Sequence, residues 1–167
     1  CTVLKNDVED WSVSLIETGL KTNTGGRLRR AREVIGEESF LLTYGDGLAD
    51  IDVPKTIDFH RSHEGLLTMT VVRQRGRFGA VETDDSGRIG HFEEKPLDHQ
   101  PWINGGFFVC DPTLFGYLDG DQTVLEEYPL RTLSEQGKVF GFQHHGFWAC
   151  LDTPRDKDAL SDWWYGG

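Results

Sequence analysis

The chain is poor in cysteine, in basic residues and in long apolar runs, and each shortage excludes a class of protein. Cys1, Cys110 and Cys150 stand far apart with no Cys-x-x-Cys pair, which argues against a disulfide framework and favours a reducing, cytoplasmic location. The 17 basic residues face 28 acidic ones, and a net charge of −11 makes nucleic acid or an anionic membrane a poor partner. No apolar stretch approaches the ~18 residues of a membrane-spanning helix, and no secretory signal is visible.

Familiar catalytic signatures are missing as well. The sequence has no Walker A string, no Gly-x-Gly-x-x-Gly fingerprint, no His-Glu-x-x-His and no Gly-x-Ser-x-Gly elbow. His60 and His63 lie one helical turn apart, and His144 and His145 are adjacent, but neither pair has a convincing zinc spacing. The common P-loop, dinucleotide, zinc-protease and serine-hydrolase chemistries are therefore not expected.

The 167 residues have the composition of one globular domain that can bury a core without a disulfide or metal. Hydrophobic periodicity and turn residues predict an α/β layer fold with a mixed sheet. Strands are predicted at residues 11–16, 40–44, 66–72, 78–81, 89–93, 103–110 and 139–142. Helices are predicted at residues 24–35, 52–63, 112–118, 128–136 and 153–164. The strand–helix–strand unit at 40–72 implies parallel pairing of its strands and a right-handed crossover, and residues 84–87 predict a hairpin turn.

The most informative string is Gly45-Asp46-Gly47, which directly follows the apolar run of residues 39–44. Its glycines let a ligand approach the backbone closely, and ligands of α/β sheets bind beyond the carboxyl ends of strands. The alternative is a turn that uses these residues for shape alone. Asp152 offers a second carboxylate for a divalent cation such as Mg²⁺, although the same residue could cap the following helix.

Three further strings admit both a functional and a structural interpretation. In Glu94-Lys95-Pro96 the lysine suits a phosphate and the glutamate suits sugar hydroxyls, or the two form a surface ion pair. In the run 103–108 (INGGFF), adjacent glycines indicate close approach of a ligand or a β-bulge. The loop at residues 22–27 can hold an anion with its amides, or it begins an ordinary helix capped by Thr24.

Taken together, these strings resemble the sugar-phosphate nucleotidyltransferases, and within them the branch that transfers cytidylyl groups. The resemblance is carried by residues 24–30 (TGGRLRR), 43–50 (TYGDGLAD), 76–80 (GRFGA), 94–96 (EKP), 103–108 (INGGFF), 146–148 (GFW) and 152–153 (DT). Their order and spacing match the family over nearly the whole chain.

This resemblance implies a Rossmann-like, mixed and mostly parallel sheet flanked by helices, in a single nucleotidyltransferase domain over residues 1–167. The implied reaction joins CTP and glucose 1-phosphate into CDP-glucose and pyrophosphate, for deoxysugars of bacterial surface polysaccharide, and the family tends to form homo-oligomers. The family assigns Asp46 and Asp152 to Mg²⁺ and, with Lys95, to catalysis. It assigns nucleotide contacts to Thr22, Arg27 and Gly45, and sugar-phosphate contacts to Gly79, Glu94, Lys95 and Asn104.

One departure from the family is large. Family members begin with a strand, a Gly-x-Gly-Thr-Arg loop and a nearby catalytic lysine, and this sequence has none of them. The chain is therefore expected to match the C-terminal portion of the family's catalytic domain and to expose apolar sheet that the missing strands would cover. A non-catalytic module that binds sugar phosphate stays open, as does a metal-dependent glycosyltransferase, although Asp46 and Asp50 are four residues apart and do not form the usual Asp-x-Asp of such enzymes.

Overall fold

A four-stranded mixed sheet with helices packed against it forms the centre of the molecule. The structure, a computed structural model, describes residues 11–74, 80–93 and 101–166. The strands are β1 Phe40–Thr43, β2 Gly47–Ala49, β3 Leu67–Val72, β4 Ala80–Thr83, β5 Ile89–Glu93, β6 Ile103–Cys110, β7 Val139–Gln143 and β8 Trp148–Cys150. The helices are α1 Thr24–Ile35, α2 Val53–Arg61, α3 Tyr128–Glu135 and α4 Pro154–Gly166, with a 3₁₀ helix at Pro112–Tyr117.

The strand order of the main sheet is β1-β6-β3-β7. β6 runs antiparallel to both β1 and β3, whereas β3 and β7 are parallel, so three strands share one direction and β6 alone opposes them. The mixed sheet is confirmed, and β1 and β3 run parallel to each other, but their predicted pairing is wrong because β6 lies between them. β6 is apolar on both faces and buried along most of its length, which favours an interior place over an edge.

The core lies on one face of this sheet. Leu67, Leu114 and Leu133 are fully buried there, and they come from β3, the 3₁₀ helix and α3 respectively. Phe108 and Cys110 of β6 complete the centre of the same cluster. Burying a leucine side chain contributes about 1.5–3 kcal/mol, so this cluster is a main source of the stability of the fold.

Several of the predicted caps and turns are observed. Asp52 caps α2 by accepting a hydrogen bond from the Lys55 amide at 3.1 Å. Gly36 ends α1 with φ 84°, which a residue with a side chain rarely adopts. Asp84 accepts hydrogen bonds from the amides of Ser86 and Arg88, which closes the predicted β4–β5 hairpin. Hydrogen bonds within a few residues are readable from sequence because they need no distant partner.

Two predictions about strands failed. Residues 11–16 form no strand, and Trp11 and Leu15 are 74% and 95% exposed. Alternation predicts a strand only where a neighbouring strand supplies hydrogen-bond partners, and residues 11–16 have none in the described ranges. Conversely, the three-residue strands β2 and β8 were missed because such short segments carry no periodic signal.

The outer edge of β1 has no partner strand among the described residues. Leu41, on this edge, is 55% exposed, which agrees with the expected exposure of apolar sheet. Within residues 11–74, 80–93 and 101–166, no helix has the length and apolar character required to cross a membrane.

The first turn of α1 packs directly on the backbone of residues 121–123. A Cβ atom added to Gly26 would lie 2.5 Å from the Asp121 carbonyl oxygen, closer than real contacts allow. The Gly26 amide donates to the Thr123 carbonyl at 3.2 Å, so the helix and the loop are tied together at this point. The glycine is therefore required by packing.

We expect Gly26→Ala to lower the free energy of unfolding by about 1–3 kcal/mol, because the added methyl group must displace backbone. Gly116→Ala is the matched control, since a Cβ at Gly116 meets nothing within 4 Å. Urea unfolding of the two variants measures the difference. Equal stability of the two variants would contradict the close packing described for Gly26.

Candidate functional site

A short antiparallel ribbon of β2 and β8 brings together two carboxylates that are far apart in the sequence. Gly47 faces Cys150 in its register, and the Leu151 amide donates to the Asp46 carbonyl oxygen at 2.9 Å. Asp46 precedes one strand and Asp152 follows the other, so both side chains lie at the same end of the ribbon. The predicted proximity of Asp46 and Asp152 is therefore observed.

Asp46, Cys150 and Asp152 form a donor set that fits a divalent cation. One ligand atom from each lies within 4.8 Å of the other two, and both carboxylates are exposed. The Cys150 Sγ donates to Asp152 Oδ1 at 3.2 Å. Partial burial and the two carboxylates raise the pKa of the Cys150 thiol to about 11. Cys150 was missed in the sequence because it stands alone, without a second cysteine or histidine at a ligand spacing.

The alternative role of Asp152 as a helix cap is not observed. Thr153 and Asp156 cap the start of α4 reciprocally: the Thr153 amide donates to Asp156 Oδ2 at 2.9 Å, and the Asp156 amide donates to Thr153 Oγ1 at 3.3 Å. The Asp152 carboxylate instead accepts a hydrogen bond from the thiol of Cys150. Asp152 is thus available at the mouth of a cavity.

Asp152 lines the smaller of two cavities near the ribbon, and this smaller cavity has a volume of about 230 Å³. It is lined by Tyr44, Asp46, Gly47, Gln74, Asn104, Gly105, Gly106, Trp148, Cys150 and Asp152. The β3–β6 register shifts opposite Gly105 and Gly106, so the predicted β-bulge is present. Gly106 has φ 80°, and a Cβ on Gly105 would lie 2.9 Å from the Thr70 carbonyl oxygen. The bulge turns the Asn104 side chain so that its Oδ1 accepts from the Gly106 amide at 2.8 Å.

A larger cavity of about 690 Å³ lies between α1 and β1. Its lining includes Arg27, Gly45 and Asp46, so it adjoins the smaller cavity at Asp46. The Arg27 guanidinium donates to Thr18 Oγ1 at 2.7 Å, which holds its charge at the cavity wall. Thr22 is 7% exposed, so it offers little surface to a ligand in this arrangement.

The N-terminal turn of α1 differs from the predicted anion loop. The amides of Asn23 and Gly26 donate to the carbonyls of Asp121 and Thr123, so these two amides are not free for an anion. Asn23, and not Thr24, occupies the N-cap position of the helix. Backbone amides that had no predicted partner within the local sequence are hydrogen-bonded by tertiary contacts instead.

Tyr44 and Glu126 join three of the predicted motifs. The Tyr44 hydroxyl donates to Glu126 Oε1, and the Thr24 hydroxyl donates to Glu126 Oε2 at 2.7 Å. The Asn104 side-chain amide donates to the Tyr44 oxygen at 3.4 Å. Burial first, and then the hydrogen bond and charge of Glu126, raise the pKa of Tyr44. No motif surrounds Glu126, and nothing in the sequence pointed to it.

Three predicted site residues, Gly79, Glu94 and Lys95, lie outside the residues that the structure describes. Their assignment to the sugar phosphate stays a prediction.

The structure thus gives an α/β fold in which Asp46 lines two cavities and Asp152 lies beside it on the smaller one. Comparison with known families identifies the class of protein. A family described as Nucleotidyl transferase matches residues 4–146. The chain therefore belongs to the nucleotidyl transferase family.

Relatives of known name refine this assignment. The chain is 46% identical over 161 residues to a glucose-1-phosphate cytidylyltransferase of Salmonella typhi, covering 96% of this chain and 62% of that protein. It is 29% identical over 150 residues to a mannose-1-phosphate guanylyltransferase catalytic subunit beta of Danio rerio, covering 86% and 42%. The chain thus spans less than two thirds of the length of these relatives.

Solved structures support the predicted fold. HddC from Yersinia pseudotuberculosis matches with a TM-score of 0.62 at 21% identity, covering 86% of this chain and 63% of that one. A UDP-glucose pyrophosphorylase complexed with UDP-glucose matches with a TM-score of 0.64 at 15% identity, covering 92% and 66%. At such identities the likeness concerns the fold alone, and it confirms the nucleotide-diphospho-sugar transferase architecture.

We expect Glu126→Gln to lower the pKa of Tyr44, because the substitution removes a negative charge beside the phenol. Absorbance titration of the phenolate measures this pKa, and the difference from Tyr44→Phe isolates Tyr44 from the other tyrosines. Because the pKa of Tyr44 is raised in the folded state, the free energy of unfolding falls as the pH rises above 10.0, the ordinary pKa of tyrosine. Tyr44→Phe should reduce this loss of stability at high pH. An unchanged titration in Glu126→Gln would contradict the network.

Proposed function

We propose that this chain takes part in Mg²⁺-dependent transfer of a cytidylyl group from CTP to glucose 1-phosphate, giving CDP-glucose and pyrophosphate. One observation carries the proposal: Asp46 lines both cavities, and Asp152 lies beside it on the smaller one. A nucleotide and a sugar phosphate held in separate cavities can react only where the cavities meet.

The substrates are proposed from the relatives. Glucose 1-phosphate and the cytidylyl group come from the name of the Salmonella typhi relative, which is 46% identical to the chain. The larger cavity, with Gly45 and Arg27, suits a nucleotide, since the guanidinium complements phosphate charge. The smaller cavity, with Asn104, suits the sugar phosphate, and Lys95 and Glu94 are expected to complete it.

The proposed reaction needs positioning and charge neutralisation more than covalent help. A phosphate oxygen of glucose 1-phosphate attacks the α-phosphorus of CTP, a new P–O bond forms, and the bond to pyrophosphate breaks. That phosphate is already ionised near neutral pH, so the chain needs no general base. Asp46 and Asp152 would hold Mg²⁺, which polarises phosphate oxygens when bound. Arg27 and Lys95 would orient the two substrates.

The setting of the reaction is proposed with it. A reducing cytoplasm fits the three widely spaced cysteines of the sequence. Supply of deoxysugars for surface polysaccharide would use a CDP-glucose product. A homo-oligomer is proposed because Trp164, on α4, exposes 73% of its surface and Trp163 beside it is also exposed.

A second candidate is a non-catalytic module that binds sugar phosphate. The observation that favours it is the outer edge of β1, which has no partner in residues 11–74, 80–93 and 101–166, together with a chain that spans 62% of the Salmonella relative. Such a module would keep the smaller cavity without a complete nucleotide site.

A pyrophosphate-release assay with CTP, glucose 1-phosphate and Mg²⁺ separates the two candidates. Release that requires all three components is the result expected of the transferase. Binding of glucose 1-phosphate without any release, and its survival in Asp152→Asn, would contradict the transferase and support the module. Transfer of glucose from CDP-glucose to an acceptor, without pyrophosphate, would identify a glycosyltransferase.

We expect Asp46→Asn to abolish Mg²⁺ binding measured by calorimetry and to reduce pyrophosphate release at least about a hundredfold. The amide keeps the shape of the side chain but loses the charge that attracts the cation. Asp85→Asn is the matched control, because Asp85 lies exposed in the β4–β5 hairpin turn. Full Mg²⁺ binding and turnover in Asp46→Asn would contradict the metal assignment.

A further inference from the structure

The thiol of Cys150 lies against the two carboxylates that are proposed to hold the cation. Its sulfur is 3.2 Å from Asp152 Oδ1, and it shares with Asp46 and Asp152 a set of atoms no more than 4.8 Å apart. In a zinc site the metal lies about 2.0–2.3 Å from each ligand atom, and small side-chain rotations would let these three atoms surround one cation at such distances. The sulfur is therefore placed as a ligand atom.

The backbone fixes this position. Cys150 is the last residue of β8 and pairs with Gly47 across the ribbon, one residue from the hydrogen bond between Leu151 and Asp46. Its side chain is half-buried and lines the smaller cavity. Cys110, in contrast, lies on β6 and is fully buried in the core cluster. Among the described residues, one cysteine lies at the cavity and one matched cysteine lies away from it.

We propose that Cys150 is a third ligand of the Asp46–Asp152 site and makes the site prefer thiophilic divalent cations such as Cd²⁺ and Zn²⁺ over Mg²⁺. The inference rests on the proposed function, which places Mg²⁺ between the same carboxylates. Mg²⁺ binds oxygen and gains nothing from sulfur, whereas Cd²⁺ and Zn²⁺ gain a metal–sulfur bond. As that bond forms, the thiol proton passes to solvent and no electrons are transferred.

This preference has a consequence for the proposed reaction. A thiophilic cation held by three side chains occupies the position of Mg²⁺ and competes with it. Traces of such cations would then inhibit the protein, and a chelator would restore Mg²⁺-supported function.

The test measures binding of Cd²⁺ and of Mg²⁺ separately by calorimetry on the full chain. All proteins carry Cys1→Ser, so that the thiol at position 1 adds no signal. Cys150→Ser is expected to weaken Cd²⁺ binding at least about tenfold relative to Mg²⁺ binding, because a serine oxygen replaces the thiophilic ligand. Cys110→Ser is the control and should change neither affinity.

A spectroscopic readout accompanies the affinities. Cd²⁺ bound through sulfur gives an ultraviolet charge-transfer band, which should vanish in Cys150→Ser and persist in Cys110→Ser. Circular dichroism establishes that each variant is folded, and Cys150→Ala and Cys110→Val replace any serine variant that is not.

The outcomes separate this inference from the proposed function. Unchanged Cd²⁺ affinity and an intact charge-transfer band in Cys150→Ser would overturn the role of the thiol, even if Mg²⁺ still binds through Asp46. Cd²⁺ binding that needs Cys150, combined with Mg²⁺ binding indifferent to Asp46→Asn, would support the thiol ligand and contradict the proposed Mg²⁺ site.

Discussion

The candidate site depends on one short piece of backbone pairing, the ribbon of β2 and β8. Its hydrogen bond from the Leu151 amide to the Asp46 carbonyl joins two segments separated by most of the fold. His144 holds the opposite end of the ribbon, since its Nε2 lies 2.9 Å from Asp50 Oδ1 and 3.0 Å from the Phe147 carbonyl oxygen. Without this pairing, two exposed carboxylates would repel and separate.

The remaining motifs are joined to the ribbon through side chains. Glu126 accepts hydrogen bonds from Tyr44 and Thr24, and Trp148 of β8 donates from its indole nitrogen to the Gly105 carbonyl at 2.8 Å. The start of α1, the turn after β1, the bulge of β6 and the ribbon are thereby connected through polar contacts. Such connected networks keep a site in one geometry, because each partner left unpaired would cost free energy.

The two cavities differ in the chemical groups at their walls. The guanidinium of Arg27 places a positive charge at the wall of the larger cavity. The wall of the smaller cavity carries the donor set of Asp46, Cys150 and Asp152. Both cavities reach Asp46, so a cation bound there would contact the contents of both. The outer edge of β1 has no partner strand within the described part of the chain, and the chain spans 62% of the Salmonella typhi relative.

The sequence by itself determined the mixed α/β class, the family, and the caps and turns at Asp52, Gly36 and Asp84, because these depend on local hydrogen bonds and on motifs within a few residues. Only the tertiary structure decided that β6 separates β1 from β3, that residues 11–16 form no strand, and that Glu126 and Cys150 belong to the site. Strand neighbours and side-chain partners distant in sequence depend on packing of the whole chain, and no local pattern encodes them.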